Sequence, residues 1–169
     1  MHNLVKWLIG FVVVIVIILL LSGMYFFHVA QVRNPKSNQP DILRSKDNSL
    51  YRYENTFLAR HKQIWHETTR DGLKLDAWYV PADKKTNKTA ILAHGWHNNK
   101  TTMAIYGELF HELGYNVLIP DNRAHGDSQG KIIGYGWLDR RDYIQWLNQI
   151  IKYQGQDTDI IMYGMSMGA

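Results

Sequence analysis

The longest hydrophobic stretch of the chain is an uncharged apolar run over residues 8–27. A helix of about 20 apolar residues can cross the hydrocarbon core of a bilayer. Trp7 and Tyr25 lie near the two ends of the run, where aromatic side chains favour the membrane interfaces. Residues 7–27 are therefore expected to contact a lipid bilayer. We favour an uncleaved signal-anchor over residues 1–30. A cleavable signal peptide is the alternative, although small residues are poorly placed for cleavage.

Residues 31–49 are polar and contain two prolines, a composition typical of a linker. The stretch from 50 to 62 has a weak helical period, so residues 31–62 are predicted to form a linker and a short helix. Several Lys and Arg residues follow the apolar run, and charge alone would keep this side in the cytoplasm. A whole domain follows, however, and long domains cross membranes largely regardless of charge. We therefore expect a single-pass protein of the cell membrane with an extracytoplasmic domain.

From residue 63 onwards, short strand patterns alternate with helix patterns. Two runs that flank Asp71-Gly72 predict a β-hairpin. Short runs rich in apolar residues, typical of strands buried on both faces, follow at residues 89–93, 116–120 and 158–163. Amphipathic helix patterns separate them at residues 101–113 and 138–153. The alternation predicts an α/β domain over residues 63–169, with a mostly parallel sheet and helices on both faces. In the helix predicted over residues 101–113, the expected buried face is formed by Ala104, Ile105, Leu109, Phe110 and Leu113.

Composition narrows the chemistry that this domain can perform. The 169 residues include no cysteine, which excludes disulfides, thiolate metal sites and cysteine nucleophiles. The formal net charge is +4, but the Lys and Arg residues are scattered rather than clustered. Scattered positive charge is typical of a solvated surface, so we expect no nucleic-acid partner.

Polar and glycine-rich segments follow each of the apolar runs, at His94-Gly95-Trp96, Asp121–Ser128 and Gly164–Gly168. In parallel α/β sheets, ligands bind outside the carboxyl ends of the strands, so these segments are expected to form one site. The last segment has the form G-x-S-x-G after a strand, which predicts a nucleophile elbow with Ser166 exposed on a sharp turn. Its two glycines are expected because larger side chains would clash in so tight a turn.

The order of these three segments resembles the α/β-hydrolase superfamily. Within it, the chain is most similar to membrane-anchored bacterial serine hydrolases related to the prolyl-oligopeptidase-like and serine-aminopeptidase-like branches. The resemblance covers about residues 63–169 and implies the amino-terminal half of an α/β-hydrolase fold. One residue departs from the pattern, because Ala124 stands where many members have glycine.

The resemblance implies that a small ester or peptide substrate is hydrolysed through an acyl-enzyme, with Ser166 as the nucleophile. The backbone N–H groups of Trp96 and Met167 would form the oxyanion hole, and Gly164 and Gly168 would be the elbow glycines. Neither a cofactor nor a metal is implied. The other residues of the motifs would shape the loops: His94, Gly95, Asp121, Arg123, His125, Gly126 and Ser128.

The family's acid and histidine follow the nucleophile in chain order, which would place them beyond Ala169. We therefore expect this chain to be the amino-terminal part of an enzyme and to be inactive by itself. Among the upstream histidines, His97 could face the pocket, and a metal site built from His94, His97 and His125 is a less favoured alternative. The alternative function is a non-catalytic, membrane-anchored remnant or binding module.

Overall fold

The computed structural model describes residues 2–34 and 45–169, and most of the predicted linker lies outside this part. The chain forms two compact units, of which the first ends at Val32 and the second begins at Arg33. The first unit is one α-helix, α1 (His2–Gln31), in which no residue is buried. Its 30 residues give a length of about 45 Å. Among the described residues, this is the one helix long and apolar enough to cross a membrane.

The second unit is an α/β domain built on one five-stranded sheet. Its helices are α2 (Tyr51–Ala59), α3 (Ala104–Glu112) and α4 (Asp139–Gln154). Its strands are β1 (Gln63–Thr68), β2 (Lys74–Val80), β3 (Lys88–Ala93), β4 (Asn116–Pro120) and β5 (Asp159–Gly164). Short 3-10 turns lie at Lys100–Met103 and Ser166–Gly168.

The strands lie side by side in the order β1-β2-β4-β3-β5. β1 and β2 form the predicted antiparallel hairpin, and β2 also runs antiparallel to β4. β3 pairs in parallel with both β4 and β5. The predicted α/β-hydrolase fold class is confirmed, but the sheet is mixed rather than mostly parallel. The hairpin causes this difference, because a strand that returns through a tight turn must pair antiparallel.

Successive side chains along each strand point to opposite faces of the sheet and build two cores. On one face, Leu92 of β3 packs in a cluster with Phe57 of α2. On the other face, Ile91 packs in a cluster with Trp146 and Ile150 of α4. The prediction of helices on both faces is therefore confirmed.

β5 lies at one end of the described sheet, and within residues 2–34 and 45–169 it pairs with β3 alone. Its apolar run predicted a strand buried on both faces, and this prediction was wrong for the described structure. Ile161 and Tyr163 are only partly buried, and Met162 is 54% exposed. Composition could not reveal the difference, because an apolar run does not state how many neighbours a strand has.

The buried face of α3 also differs from the predicted one. Leu109 and Leu113 are exposed, whereas Gly107, Glu108 and His111 are buried. Ala104 and Ile105 are buried as predicted. Apolar spacing could not identify the other three buried residues, because two of them are polar and the third is a glycine.

These buried residues of α3 are accommodated by α2 and the residue that follows it. The carboxylate of Glu108 accepts two hydrogen bonds from the guanidinium of Arg60, each 2.7 Å long. Gly107 lies against the ring of Phe57, where a Cβ would come within 2.6 Å of two ring carbons. The contact between α2 and α3 thus depends on a paired charge and on the absence of a side chain.

An alanine at Gly107 is expected to destabilise the domain, although alanine is intrinsically the better helix former by about 1 kcal/mol. The new Cβ would overlap the fully buried Phe57 ring, and overpacking of this kind typically costs about 1–3 kcal/mol. Urea denaturation of the full chain in detergent micelles, followed by tryptophan fluorescence, measures the change. Glu112→Ala, at an exposed position of α3, is the control and should stay within about 0.5 kcal/mol of the native chain. Unchanged or increased stability of Gly107→Ala would contradict the described packing.

Candidate active site

β5 runs into a sharp turn that carries Ser166. The φ of Ser166 is +53°, in the left-handed region that residues other than glycine rarely adopt. The turn is closed by hydrogen bonds from the Gly168 N–H to the Met165 carbonyl (2.9 Å) and from the Ala169 N–H to the Ser166 carbonyl (3.0 Å). A Cβ on Gly164 would overlap the carbonyl oxygen of Gly168, so only glycine fits there. These are the features expected of a nucleophile elbow.

The loop after β3 lies directly against this turn. The N–H of Met165 donates to the carbonyl oxygen of Ala93, the last residue of β3, at 3.0 Å. A Cβ added to Gly95 would lie 3.3 Å from the Met165 carbonyl oxygen and 3.6 Å from the Cβ of Ser166. The structure therefore brings together the first and the third of the segments that the sequence singled out.

The two residues predicted to form an oxyanion hole follow Gly95 and Ser166 directly in the chain. Met167 lies in the 3-10 turn, and its N–H donates no hydrogen bond within the described residues. Trp96 is 38% exposed. The N–H of Met167, which directly follows Ser166, is thus available to receive an oxyanion. The positions are compatible with the predicted roles, which stay predictions.

His94 is fully buried, and both of its ring nitrogens are engaged. Nε2 accepts the N–H of Asn122 at 3.0 Å, so Nδ1 carries the proton and donates to the Gly95 carbonyl at 2.8 Å. Burial lowers the pKa of His94 to about 4. The neutral imidazole thereby joins the loop after β3 to the loop after β4.

His125 is held in a similar way. Its Nε2 accepts the N–H of His97 at 3.2 Å, so its Nδ1 donates to the Arg123 carbonyl at 3.0 Å. Burial, together with the nearby His94, lowers the pKa of His125 to about 4. Neither His94 nor His125 has a ring nitrogen free to bind a metal, which weighs against the alternative metal site. The ring of His97 stacks on Trp96, with 3.7 Å between the centroids.

Asp121, directly after β4, is fully buried and fastens two loops. Its carboxylate accepts the backbone N–H groups of Lys100 and Asp127 at 2.7 and 2.8 Å. The Lys100 ammonium also lies 2.6 Å from one carboxylate oxygen each of Asp76, Asp121 and Asp127. Burial lowers the pKa of Lys100, but the carboxylates outweigh burial and raise it above its usual value. Three carboxylates this close could hold a metal ion, yet the Lys100 ammonium already supplies positive charge there.

Ser128 closes the loop that Asp121 begins. Its hydroxyl donates to the Asp121 carbonyl at 2.7 Å and accepts the N–H of Asp76 at 2.9 Å. Gly126 lies between Asp121 and Ser128 in the chain, and a Cβ on it would overlap the Asp121 carboxylate. Ala124 is fully buried with a φ of +62°. This left-handed conformation accounts for the glycine that many α/β hydrolases have at the position, because glycine adopts it without strain.

Arg123 ties the same loop to α4 and to the β-hairpin. Its guanidinium donates twice to Asp142 of α4, at 2.8 Å, and twice to Asp71, at 2.9 and 3.3 Å. The hydrogen bonds from Arg123 are the largest cause that lowers the pKa of Asp71 to about 2. Glu67, by contrast, is buried with neither carboxyl oxygen hydrogen-bonded in the described structure. Burial raises its pKa to about 8, which keeps the carboxyl largely neutral at pH 7.

Sequence reasoning missed several residues that hold these loops. Lys100 carries no motif, and its role emerges only when three acids from different segments surround it. Asn122 donates through its amide to the His94 carbonyl at 3.2 Å, and its amide oxygen accepts the hydroxyl of Tyr143 at 2.7 Å. Asp142 is buried on α4 beside Arg123. Position was the one signal for Asn122, because it lies just after β4, within the segment 121–128 that the sequence had already singled out.

A cavity of about 390 Å³ opens beside the elbow. Met167 and Gly168 contribute one wall, and Tyr143, Ile144 and Leu147 of α4 contribute another. Ser166 does not line the cavity, which therefore adjoins the Ser166 turn rather than enclosing it. Its volume lies within the range of sites that bind small molecules.

Comparison with known sequences and structures finds relatives for most of the chain. The family described as "Serine aminopeptidase, S33" matches residues 84–169. Uncharacterized protein YqkD of Bacillus subtilis is 32% identical over 151 residues, which cover 87% of this chain and 48% of that protein. Uncharacterized protein Rv2307c of Mycobacterium tuberculosis is 32% identical over 107 residues, covering 60% of this chain and 36% of that protein.

Among solved structures, the Pyrococcus furiosus esterase Pf2001 is similar, with a TM-score of 0.56 and 28% sequence identity. The match covers 78% of this chain and 49% of the esterase. The chain thus spans about half the length of YqkD and of Pf2001. The family match to residues 84–169 includes all three segments of the candidate site.

The neutral state of His94 and His125 makes stability depend on pH. An unfolded histidine has a pKa near 6.5, whereas both folded values are about 4. Between pH 6.5 and pH 4 the unfolded chain binds more protons than the folded chain. The contribution of these histidines to the free energy of unfolding is therefore fully present above pH 6.5 and falls as the pH drops towards 4. A difference of this size corresponds to at most about 3 kcal/mol for each histidine.

We expect His125→Gln, whose amide can make both hydrogen bonds, to lose part of this pH dependence. Urea denaturation of the full chain in detergent micelles at pH 7.5 and 4.5 measures it. The stability deficit of His125→Gln relative to the native chain should shrink at the lower pH. The exposed His61→Gln is the control and should follow the native chain at both pH values. A deficit of His125→Gln that is equal at both pH values would contradict the neutral assignment.

Proposed function

The chain belongs to the serine aminopeptidase S33 family of α/β hydrolases, and we propose that it forms the nucleophile-bearing part of a membrane-anchored serine hydrolase. The single observation that carries this proposal is the turn at Ser166. A residue with a side-chain hydroxyl occupies a left-handed conformation beside Gly95, at the carboxyl ends of β3 and β5. Backbone strain of this kind, held in place by its surroundings, is typical of functional sites.

The reaction proposed for this site is acyl transfer to water. The Oγ of Ser166 attacks the substrate carbonyl carbon while a general base takes its proton. The negative oxygen that forms would accept hydrogen bonds from the N–H groups of Met167 and Trp96, each donor contributing roughly 3–4 kcal/mol to transition-state stabilisation. Collapse of the intermediate releases an alcohol or amine, which takes the proton. Water then attacks the acyl-enzyme by the same steps and releases the acid.

The general base is proposed to be a histidine that follows the elbow, oriented by an acid that also follows it. The described histidines near the elbow support this choice. His94 and His125 use both ring nitrogens to hold loops, and burial keeps their pKa near 4. A base with so low a pKa would be too weak to remove a serine proton efficiently near neutral pH.

An ester or a peptide bond is proposed as the substrate linkage. The similarity to Pf2001 supports an ester, because that protein is an esterase. The family description supports a peptide with a free amino end. Both linkages use the same nucleophile and oxyanion donors, so the residues described for Ser166 serve either reaction.

The membrane anchor is proposed from α1, whose 30 residues carry a run long and apolar enough to span a bilayer. No residue of the helix is buried in the described structure. A hydrophobic helix without a protein core to bury it is expected to partition into lipid. The hydrolase domain is proposed to lie outside the cytoplasm.

Residues 30–169 alone are expected to hydrolyse p-nitrophenyl esters no faster than their Ser166→Ala variant. The physical reason is that the elbow supplies the proposed nucleophile and oxyanion donors, whereas His94 and His125 are committed to loop contacts. Initial rates of p-nitrophenol release measure this, with the Ser166→Ala variant as the matched control. Turnover that the substitution abolishes would show that a base is already present in these residues.

A further inference from the structure

The loop between β4 and α4 exposes an unusual concentration of large apolar side chains. Within seven positions lie Ile132, Tyr135, Trp137 and Leu138, whose exposed fractions are 40%, 46%, 71% and 39%. Trp137 is the most exposed large apolar residue of the described part of the second unit. We call residues 131–138 the apolar loop. Side chains of this kind on a surface usually mark a place where a partner binds.

The charged residues that flank the apolar loop and face solvent are positive. Lys131 and Arg140 are exposed, and the Arg140 guanidinium lies 3.6 Å from the ring centroid of Trp137. The acid beside them, Asp139, is buried, with a carboxylate oxygen that accepts the Gly136 N–H at 3.0 Å. Exposed apolar and aromatic side chains beside exposed cationic groups are suited to contact an anionic phospholipid surface.

The apolar loop is also hydrogen-bonded to Arg33, which lies two residues after the end of α1. The N–H of Arg33 donates to the Lys131 carbonyl at 2.8 Å. Its guanidinium donates to the carbonyls of Gly126 and Ser128, both at 2.6 Å. α1 ends at Gln31, and two residues of chain reach at most about 7 Å. Arg33 thus holds the apolar loop at the residue where the second unit begins, and the covalent chain joins that residue to α1.

If α1 crosses a bilayer, this tether determines where Arg33 and Lys131 lie relative to the lipid. At about 45 Å, the helix is as long as the hydrocarbon core and both headgroup layers together, roughly 40–45 Å. Its end, and with it Arg33 and Lys131, would then lie in the headgroup layer. Tryptophan and tyrosine prefer that layer, because the ring is apolar and the polar atom stays hydrated.

We propose that the apolar loop is a membrane-docking loop, which places Trp137 and its apolar neighbours in the headgroup layer of the bilayer that α1 crosses. The proposal rests on the membrane anchor in the proposed function. It adds a second contact, through which Lys131 and Arg140 bind anionic headgroups. Gly136 and Arg140 also line the cavity beside Met167 and Gly168, so docking would bring that cavity close to the lipid surface.

The absence of cysteine makes a direct test straightforward. Single cysteines are introduced into the full chain at Ile132 in the loop, at the exposed Lys85 in the β2–β3 connection and at Val16 in α1. Each is labelled with a nitroxide, and the protein is placed in nanodiscs that contain phosphatidylglycerol. Electron paramagnetic resonance then compares collisions with oxygen, which concentrates in lipid, and with a water-soluble nickel chelate.

We expect the label at Ile132→Cys to be shielded from nickel severalfold more than the label at Lys85→Cys, and the label at Val16→Cys to collide mainly with oxygen. Adding Trp137→Ser should restore nickel access at position 132, whereas Tyr153→Ser, which removes another exposed aromatic ring, should not. A lipid-embedded Val16 label with equal nickel access at positions 132 and 85 would overturn docking and leave the anchor standing. A water-exposed Val16 label would overturn both the anchor and docking. Shielding at position 132 that survives Trp137→Ser would overturn insertion of the loop.

Discussion

The close approach of the loop after β3 to the turn at Ser166 is the constraint on which the rest of the site depends. Ser166 adopts a left-handed backbone conformation, and a residue in such a conformation costs of the order of 1–3 kcal/mol. The conformation persists because Met165 bonds back to Ala93 and because Gly164 leaves room for the carbonyl of Gly168. Gly95 then lets one backbone come within contact of the other. The same contact sets Trp96 and Met167, as candidate donors, one residue beyond the meeting point.

The loops that make this approach are fixed by buried polar groups rather than by apolar packing. His94 and His125 are neutral, and Lys100 and Arg123 are paired with carboxylates. Hydrogen bonds in such surroundings are strong when every partner is present, and an unpaired group is costly. Glu67 departs from this rule, because neither carboxyl oxygen is hydrogen-bonded in the described structure, and burial raises its pKa. His94 and His125 thus serve structure, which supports the proposal that a separate base acts on Ser166.

The elements of the domain could be predicted largely because their signals are local. β4 matches its apolar run, and Gly155 ends α4 with a φ of +111°. What could not be predicted depends on partners distant in the chain. The buried face of α3 follows from Phe57 and Arg60, and the exposure of Met162 follows from the number of strands beside β5. In the site, motifs singled out Ser166 and His94 as candidate residues. Lys100 could not be found from a motif, because its role depends on three carboxylates from separate segments.

The central claim is that Ser166 is a nucleophile, and covalent trapping tests it most directly. Because the proposed base and acid follow the elbow, the test uses a protein that includes them, and this protein is treated with a fluorophosphonate. Mass spectrometry of the digested protein then locates the adduct. We predict one phosphonylated residue, Ser166, with no labelling after Ser166→Ala and undiminished labelling after Ser128→Ala in protein that remains folded. An adduct on another residue, or no adduct on folded protein, would contradict the assignment of Ser166.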